Sequence, residues 1–153
     1  MLNEDYKEML QLLSEEQVDF IIVGAYALGA HGYPRATGDI DIWVKPNDIN
    51  SRKLYNALAR FGAPLDQIKI DDFSTEGIIF QIGVIPRRID IITKIDGVTY
   101  EEADEDKIIV EVEGLKIPVI SLDKLIKNKM STGREKDDLD IKTLRKIHNK
   151  SEG

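Results

Sequence analysis

Hydrophobic and polar positions along this chain follow two periods, one typical of helices and one typical of strands. Apolar residues recur at helical spacing over 3–16 and again over 48–61, where Gly62 ends the pattern. We predict a helix in each of these segments. A further helix is predicted to begin at Ser121, whose hydroxyl suits an N-cap, and the last helix is predicted over 137–147.

Short runs of apolar and β-branched residues between these helices are typical of strands. They cover 18–23, 39–44, 78–84, 88–93, 107–112 and 115–120. The last two runs flank Glu113 and Gly114 and predict a hairpin, whereas the acidic run 101–106 is interpreted as a solvated loop. Strands interspersed with helices, with at least one antiparallel hairpin, favour an α+β fold with a mixed central sheet and flanking helices.

A glycine turn is predicted where the first strand ends. Gly24 follows the apolar run 18–23, and a helical pattern begins at Ala25. A strand that passes through a glycine into a helix places free backbone N–H groups and the positive end of the helix dipole at one point, which suits a phosphate. Gly24 and Ala25 are small, so a ligand could approach the backbone closely.

Carboxylates mark the second strand and a later one. Asp39 and Asp41 are two residues apart, so they point to the same face of an extended strand, about 7 Å apart. Asp90 lies within 88–92 and could join them if the two strands pair, because neighbouring strands are about 4.8 Å apart. Magnesium bound to phosphates uses one or two carboxylates. Acids on one strand face are most often only solvated, but the nearby Gly24 turn favours a functional site.

These features resemble the nucleotidyltransferase superfamily with the DNA polymerase beta type of active site. Its pattern is an apolar strand, a Gly followed by Ser or Gly, an acid-apolar-acid motif, and a third acid on a later strand. The corresponding residues of this chain are Gly24, Ala25, Asp39, Asp41 and Asp90. Within the superfamily the chain is similar to small bacterial nucleotidyltransferases related to abortive-infection and toxin-antitoxin systems.

That subgroup carries Arg-x-Thr ahead of the two acids and, near the carboxyl end, a helical Lys, an Arg and a Lys/Arg-Asp-x-x-Asp motif. The corresponding residues here are Arg35, Thr37, Lys129, Arg134, Lys136, Asp137 and Asp140. From spacing alone Lys129 and Arg134 would be surface residues. The resemblance implies nucleotide-binding roles for Gly24, Ala25, Arg35, Thr37, Lys129, Arg134 and Asp137.

The resemblance implies metal-dependent transfer of a nucleoside monophosphate from an NTP to an acceptor hydroxyl. Asp39, Asp41 and Asp90 would then be catalytic and would hold Mg²⁺ or Mn²⁺. Which NTP reacts is open, and the acceptor could be an RNA end, a protein or a small molecule. The alternative is a non-catalytic nucleotide-binding or partner-binding module of a toxin-antitoxin type pair, with a cognate partner protein. Ala25 favours this alternative, because many superfamily members have Ser there.

Length, charge and composition bear on the number of domains, the partners and the location of the protein. At 153 residues we expect a single domain over 1–153, and a net charge of −7 disfavours a general nucleic-acid coat. The chain has no cysteine, which excludes disulfides and thiolate metal sites. Its amino terminus is acidic, unlike a signal peptide, and no apolar run reaches the length of a membrane span. We therefore expect a cytoplasmic protein without a membrane partner.

Overall fold

The structure, a computed structural model, describes residues 2–33, 37–134 and 141–146. The helices are α1 (Glu4–Glu15), α2 (Gly24–Ala30), α3 (Asp48–Phe61), α4 (Tyr100–Asp106) and α5 (Leu122–Thr132), and residues 141–146 are also helical. The strands are β1 (Phe20–Val23), β2 (Asp39–Val44), β3 (Ile79–Ile82), β4 (Arg88–Ile92), β5 (Ile108–Val112) and β6 (Leu115–Val119). None of the described helices has the length and apolar character needed to cross a membrane.

The strands of the described residues form one mixed sheet in the order β3-β4-β2-β1-β6-β5. β1 pairs antiparallel with β2, whereas β2 pairs parallel with β4 and β1 pairs parallel with β6. β5 and β6 form the predicted antiparallel hairpin. This mixed sheet with flanking helices confirms the α+β fold class.

β1 and β2 lie at the centre of the sheet and pack into the core. All four residues of β1 are buried, and in β2 the buried Ile40 and Ile42 alternate with the half-buried Asp39 and Asp41. α1 packs on α3, and fully buried leucines of both helices add about 1.5–3 kcal/mol each to stability. Burial of one face of β2 therefore determines which face carries the two acids.

The acidic run 101–106 is not the solvated loop that its charge indicated. It forms most of α4, which begins at a capping box: the Thr99 hydroxyl accepts from the amide of Glu102, and the Glu102 carboxylate accepts from the amide of Thr99, both at 3.2 Å. Tyr100 and Ala103 are buried, and the Tyr100 ring meets Trp43 edge-on with centroids 5.2 Å apart. The loop prediction was wrong because two buried residues hold this short helix on the sheet.

Candidate functional site

Parallel pairing of β2 with β4 brings the three predicted acids together. The pairing sets Asp41 opposite Asp90, and Asp39 lies two residues before Asp41 on the same face of β2. Each of the three carboxyl groups offers an oxygen, and these oxygens all lie within 4.8 Å of one another. Asp39 is partly open to solvent, with a side-chain exposure of 25%, whereas that of Asp90 is 9%. We call these three residues the acid cluster.

The glycine turn lies directly against the acid cluster. Gly24 has a φ of +71°, a backbone conformation that glycine adopts readily and other residues rarely adopt. A Cβ atom at this position would lie 2.1 Å from Oδ2 of Asp41. α2 begins here, and Val23, its N-cap residue, provides no side-chain hydrogen bond. The structure therefore places the acids beside the turn formed by Gly24 and the half-buried Ala25.

Thr37 orients the first acid of β2. Its hydroxyl donates to Oδ1 of Asp39 at 2.8 Å and lies 3.3 Å from the Asp39 amide nitrogen, which donates to it. Thr37 therefore contacts the acid cluster itself. Arg35, the other residue of this motif, lies outside the described residues.

Arg88 is the residue at this site that the sequence reasoning missed. Its Nε donates to Oδ1 of Asp90 at 2.9 Å, and its Nη2 donates to Oδ2 of Asp39 at 3.0 Å and to Oδ2 of Asp90 at 3.2 Å. Arg88 and Asp90 are two residues apart on β4, so strand alternation could have identified Arg88 as a neighbour of the acid cluster.

The acids differ in how readily they ionise. Burial raises the pKa of Asp41 to about 7, and the nearby charges of Asp39 and Asp90 add to this effect. Burial also raises the pKa of Asp90. Burial of Asp39 acts in the same direction, but hydrogen bonds from Thr37 and Arg88 outweigh it and lower the pKa of that carboxyl. The cluster therefore concentrates negative charge that Arg88 balances only in part.

Comparison with known proteins identifies the family. The model of a family described as "Nucleotidyl transferase of unknown function" (DUF2204) matches residues 2–153. The chain belongs to this nucleotidyltransferase family. The match confirms the predicted superfamily and assigns the protein to the nucleotidyltransferase class. Among curated proteins, none matches the chain significantly.

Solved structures share the nucleotidyltransferase fold. TM1012 of Thermotoga maritima, assigned as a nucleotidyltransferase, has a TM-score of 0.63 at 18% identity, covering 98% of this chain and 96% of that chain. The lincosamide antibiotic adenylyltransferase LnuA, bound to lincomycin, has a TM-score of 0.57 at 15% identity, with coverages of 96% and 98%. ANT(2″)-Ia, in complex with adenylyl-2″-tobramycin, has a TM-score of 0.51 at 15% identity, with coverages of 94% and 96%. At these identities the likeness shows the fold.

The carboxyl-terminal residues of the nucleotidyltransferase motif are only partly described. Lys129 lies on α5 and is 8% exposed, so it is not the surface residue that its spacing alone indicated. Arg134 follows Gly133, which ends α5 with a φ of +68°, and is exposed. Lys136, Asp137 and Asp140 lie outside the described residues.

The acid cluster fits the divalent ion expected of a nucleotidyltransferase. Carboxylate oxygens are the hard donors that Mg²⁺ and Mn²⁺ prefer. Three such groups can reach one point in this structure, and no cysteine or histidine belongs to the cluster. Within the described residues, the imidazole of His31 has its Nε2 atom 2.7 Å from the carbonyl oxygen of Ile120, which is a structural contact.

Proposed function

We propose that this protein is a metal-dependent nucleotidyltransferase that transfers a nucleoside monophosphate from an NTP to an acceptor hydroxyl. The observation that carries the proposal is the acid cluster itself, in which three carboxylates from two neighbouring strands converge beside the Gly24 turn. Membership of a nucleotidyltransferase family supports the same chemistry. So does a fold shared with the lincosamide antibiotic adenylyltransferase LnuA and with ANT(2″)-Ia, which is in complex with adenylyl-2″-tobramycin.

Asp39, Asp41 and Asp90 would hold Mg²⁺ or Mn²⁺. When bound, the ion supplies positive charge that neutralises the polyphosphate and the pyrophosphate leaving group. Thr37 keeps Asp39 in a fixed orientation and lowers its pKa, so that this carboxylate is ionised at neutral pH. The high pKa of Asp41 in the ligand-free protein indicates a position where added positive charge would be strongly favourable.

The nucleotide would bind at the Gly24 turn, beside the acid cluster. The N-cap residue of α2, Val23, makes no side-chain hydrogen bond to the backbone N–H groups at the start of the helix. Such N–H groups suit phosphate oxygens. Ala25 contributes its backbone and lacks the hydroxyl that many superfamily members have. By resemblance, we assign Arg35, Lys129, Arg134 and Asp137 to further nucleotide contacts.

Asp90 would act as a proton acceptor or as a ligand for a second ion. In the transfer, the acceptor oxygen forms a bond to the α-phosphorus, the bond from that phosphorus to the bridging oxygen breaks, and pyrophosphate leaves. As proton acceptor, Asp90 would take the proton of the attacking hydroxyl. Its raised pKa suits this role, because a carboxylate with a higher pKa is the stronger base.

The acceptor is the second substrate of the proposed transfer. An RNA end, a protein hydroxyl and a small molecule all remain candidates. A small hydroxylated molecule has the support of two structural neighbours, one bound to lincomycin and one in complex with adenylyl-2″-tobramycin.

Transfer of a labelled phosphate tests the proposal. The parent protein is incubated with each α-labelled NTP, Mg²⁺ or Mn²⁺, and separate RNA, protein and small-molecule fractions of a cell extract. We expect label in one fraction and equimolar pyrophosphate. The double variant Asp39→Asn/Asp41→Asn should give neither. Label transfer that continues in this variant, or in excess EDTA, would contradict the proposed metal site.

A second candidate function is a non-catalytic nucleotide-binding or partner-binding module of a toxin-antitoxin type pair. Ala25 is the observation that favours it, because the position lacks the usual phosphate-binding hydroxyl. In that case the protein would bind NTP with Mg²⁺ but neither label any fraction nor release pyrophosphate. A cognate partner protein would then co-purify with it.

A further inference from the structure

The guanidinium of Arg88 occupies the space between two of the proposed metal ligands. It makes three hydrogen bonds of 2.9–3.2 Å, which use Oδ2 of Asp39 and both carboxylate oxygens of Asp90. A divalent ion held by Asp39 and Asp41, and a second ion held by Asp90, would each need an oxygen from one of these two carboxylates. A guanidinium and a metal ion are both positive, so they compete for these atoms rather than share them.

Two observations indicate that the Arg88 side chain can leave this position without disturbing the strand. Its side chain is 27% exposed, so solvent borders the guanidinium. The backbone of β4 is held independently of that side chain. The hydroxyl of Tyr6, a buried residue of α1, donates to the carbonyl oxygen of Arg88 at 3.0 Å, and the carbonyl oxygen of Pro86 lies 3.3 Å from the same hydroxyl.

We propose that Arg88 is a displaceable counter-cation of the acid cluster. It holds Asp39 and Asp90 in place when no metal is bound, and it must release them before a divalent ion can bind. The inference rests on the proposed metal site and extends it. Its consequence is that the free ion binds weakly, whereas an ion carried by a polyphosphate binds well, because the phosphate charges compensate both the ion and the released guanidinium.

Binding of Mn²⁺ alone, without nucleotide, tests this inference. The affinity is measured by electron paramagnetic resonance and by calorimetry at pH 8, for the parent, Arg88→Gln, Arg88→Lys and Arg87→Gln. Arg87 is the matched control, because it is the adjacent arginine and pairs with Asp5 at 3.5 Å, outside the acid cluster.

We expect Arg88→Gln to bind Mn²⁺ at least about tenfold more tightly than the parent, which is a modest gain for removing a unit charge a few ångströms from the ion. Arg88→Lys keeps the charge but cannot form the forked bonds, so its affinity should lie between the two. Arg87→Gln should match the parent. Without metal, Arg88→Gln should melt at a lower temperature than the parent, and Mn²⁺ should raise its melting temperature by more.

Two results would overturn the inference in distinguishable ways. If the parent binds Mn²⁺ and both Arg88 variants bind it equally or more weakly, Arg88 supports the acids without competing, and the proposed metal site stands. If no variant binds Mn²⁺, with or without NTP, the metal site is wrong and the role of Arg88 falls with it.

Discussion

Asp41 offers a quantitative test of the electrostatics of the acid cluster. In the folded, ligand-free protein its pKa is raised to about 7, first by burial and then by the charges of Asp39 and Asp90. An aspartate in the unfolded chain has a pKa of about 3.9. Between these two values the folded protein binds one more proton than the unfolded chain, so its stability falls as the pH rises through this range. Asp41→Asn should remove this loss of stability at higher pH. Asn is nearly the same shape as Asp, so the packing against Gly24 should be kept.

The magnitude follows from the size of the shift. About three pH units at 1.36 kcal/mol each set an upper bound of about 4 kcal/mol at pH 8. Asp39 and Asp41 are partly exposed to solvent, which screens their charges, so we expect Asp41→Asn to stabilise the protein by about 1–2 kcal/mol at pH 8. The gain should shrink as the pH falls towards 4, where Asp41 of the parent is protonated when folded.

Urea unfolding in EDTA from pH 4 to pH 8 measures this difference. Asp66→Asn, which removes an exposed carboxylate from a short 3₁₀ segment away from the acid cluster, is the matched control and should follow the parent at every pH. Parallel stability curves for the parent and Asp41→Asn would refute the reasoning, as would a variant that is less stable than the parent at pH 8.

Three further predictions concern the turn and the ligands. Gly24→Ala should lower the free energy of unfolding by about 1–3 kcal/mol in urea titrations, because a φ of +71° strains alanine and its Cβ would meet Oδ2 of Asp41; unchanged stability would show that the turn is not held as described. Ala25→Ser should bind NTP as well as the parent or better by about 1 kcal/mol in calorimetry, whereas weaker binding would show that the pocket has no room for a hydroxyl. In thermal melts, Mg²⁺ with NTP should stabilise the parent more than either alone. Asp39→Asn/Asp41→Asn should abolish this synergy without much loss of ligand-free stability, and a variant that keeps the full synergy would place the metal elsewhere.

Features that depend on local alternation could be predicted from the sequence. Asp39 and Asp41 share a face because the pleat of a strand requires it, and the apolar residues between them decide which face is buried. The glycine turn was predictable for a similar reason, since Gly24 interrupts an apolar strand and begins a helix. The position of Asp90 could be predicted only on the condition that β4 pairs with β2, because no local sequence pattern indicates this pairing.

Features that depend on pairing and packing were missed. Alternation along β4 places Arg88 on the same face as Asp90, but Arg88 reaches Asp39 only because the parallel register sets these two residues opposite each other, and no pattern within either strand contains that register. α4 was interpreted as a loop because its acids outnumber the two residues that pack on the sheet. Lys129 is buried although its helix has an ordinary polar sequence, because burial depends on what packs against α5.

A paired measurement on Asp90→Asn tests the central claim most directly. Asp90 is proposed to act in the transfer itself, so its contribution should grow in the transition state. Nucleotide affinity in Mg²⁺, measured by calorimetry, should stay within a few-fold of the parent, whereas single-turnover transfer of the α-phosphate label should fall by roughly 10² to 10⁴ fold. Equal transfer by Asp90→Asn and the parent would remove Asp90 from the site and contradict the proposed mechanism.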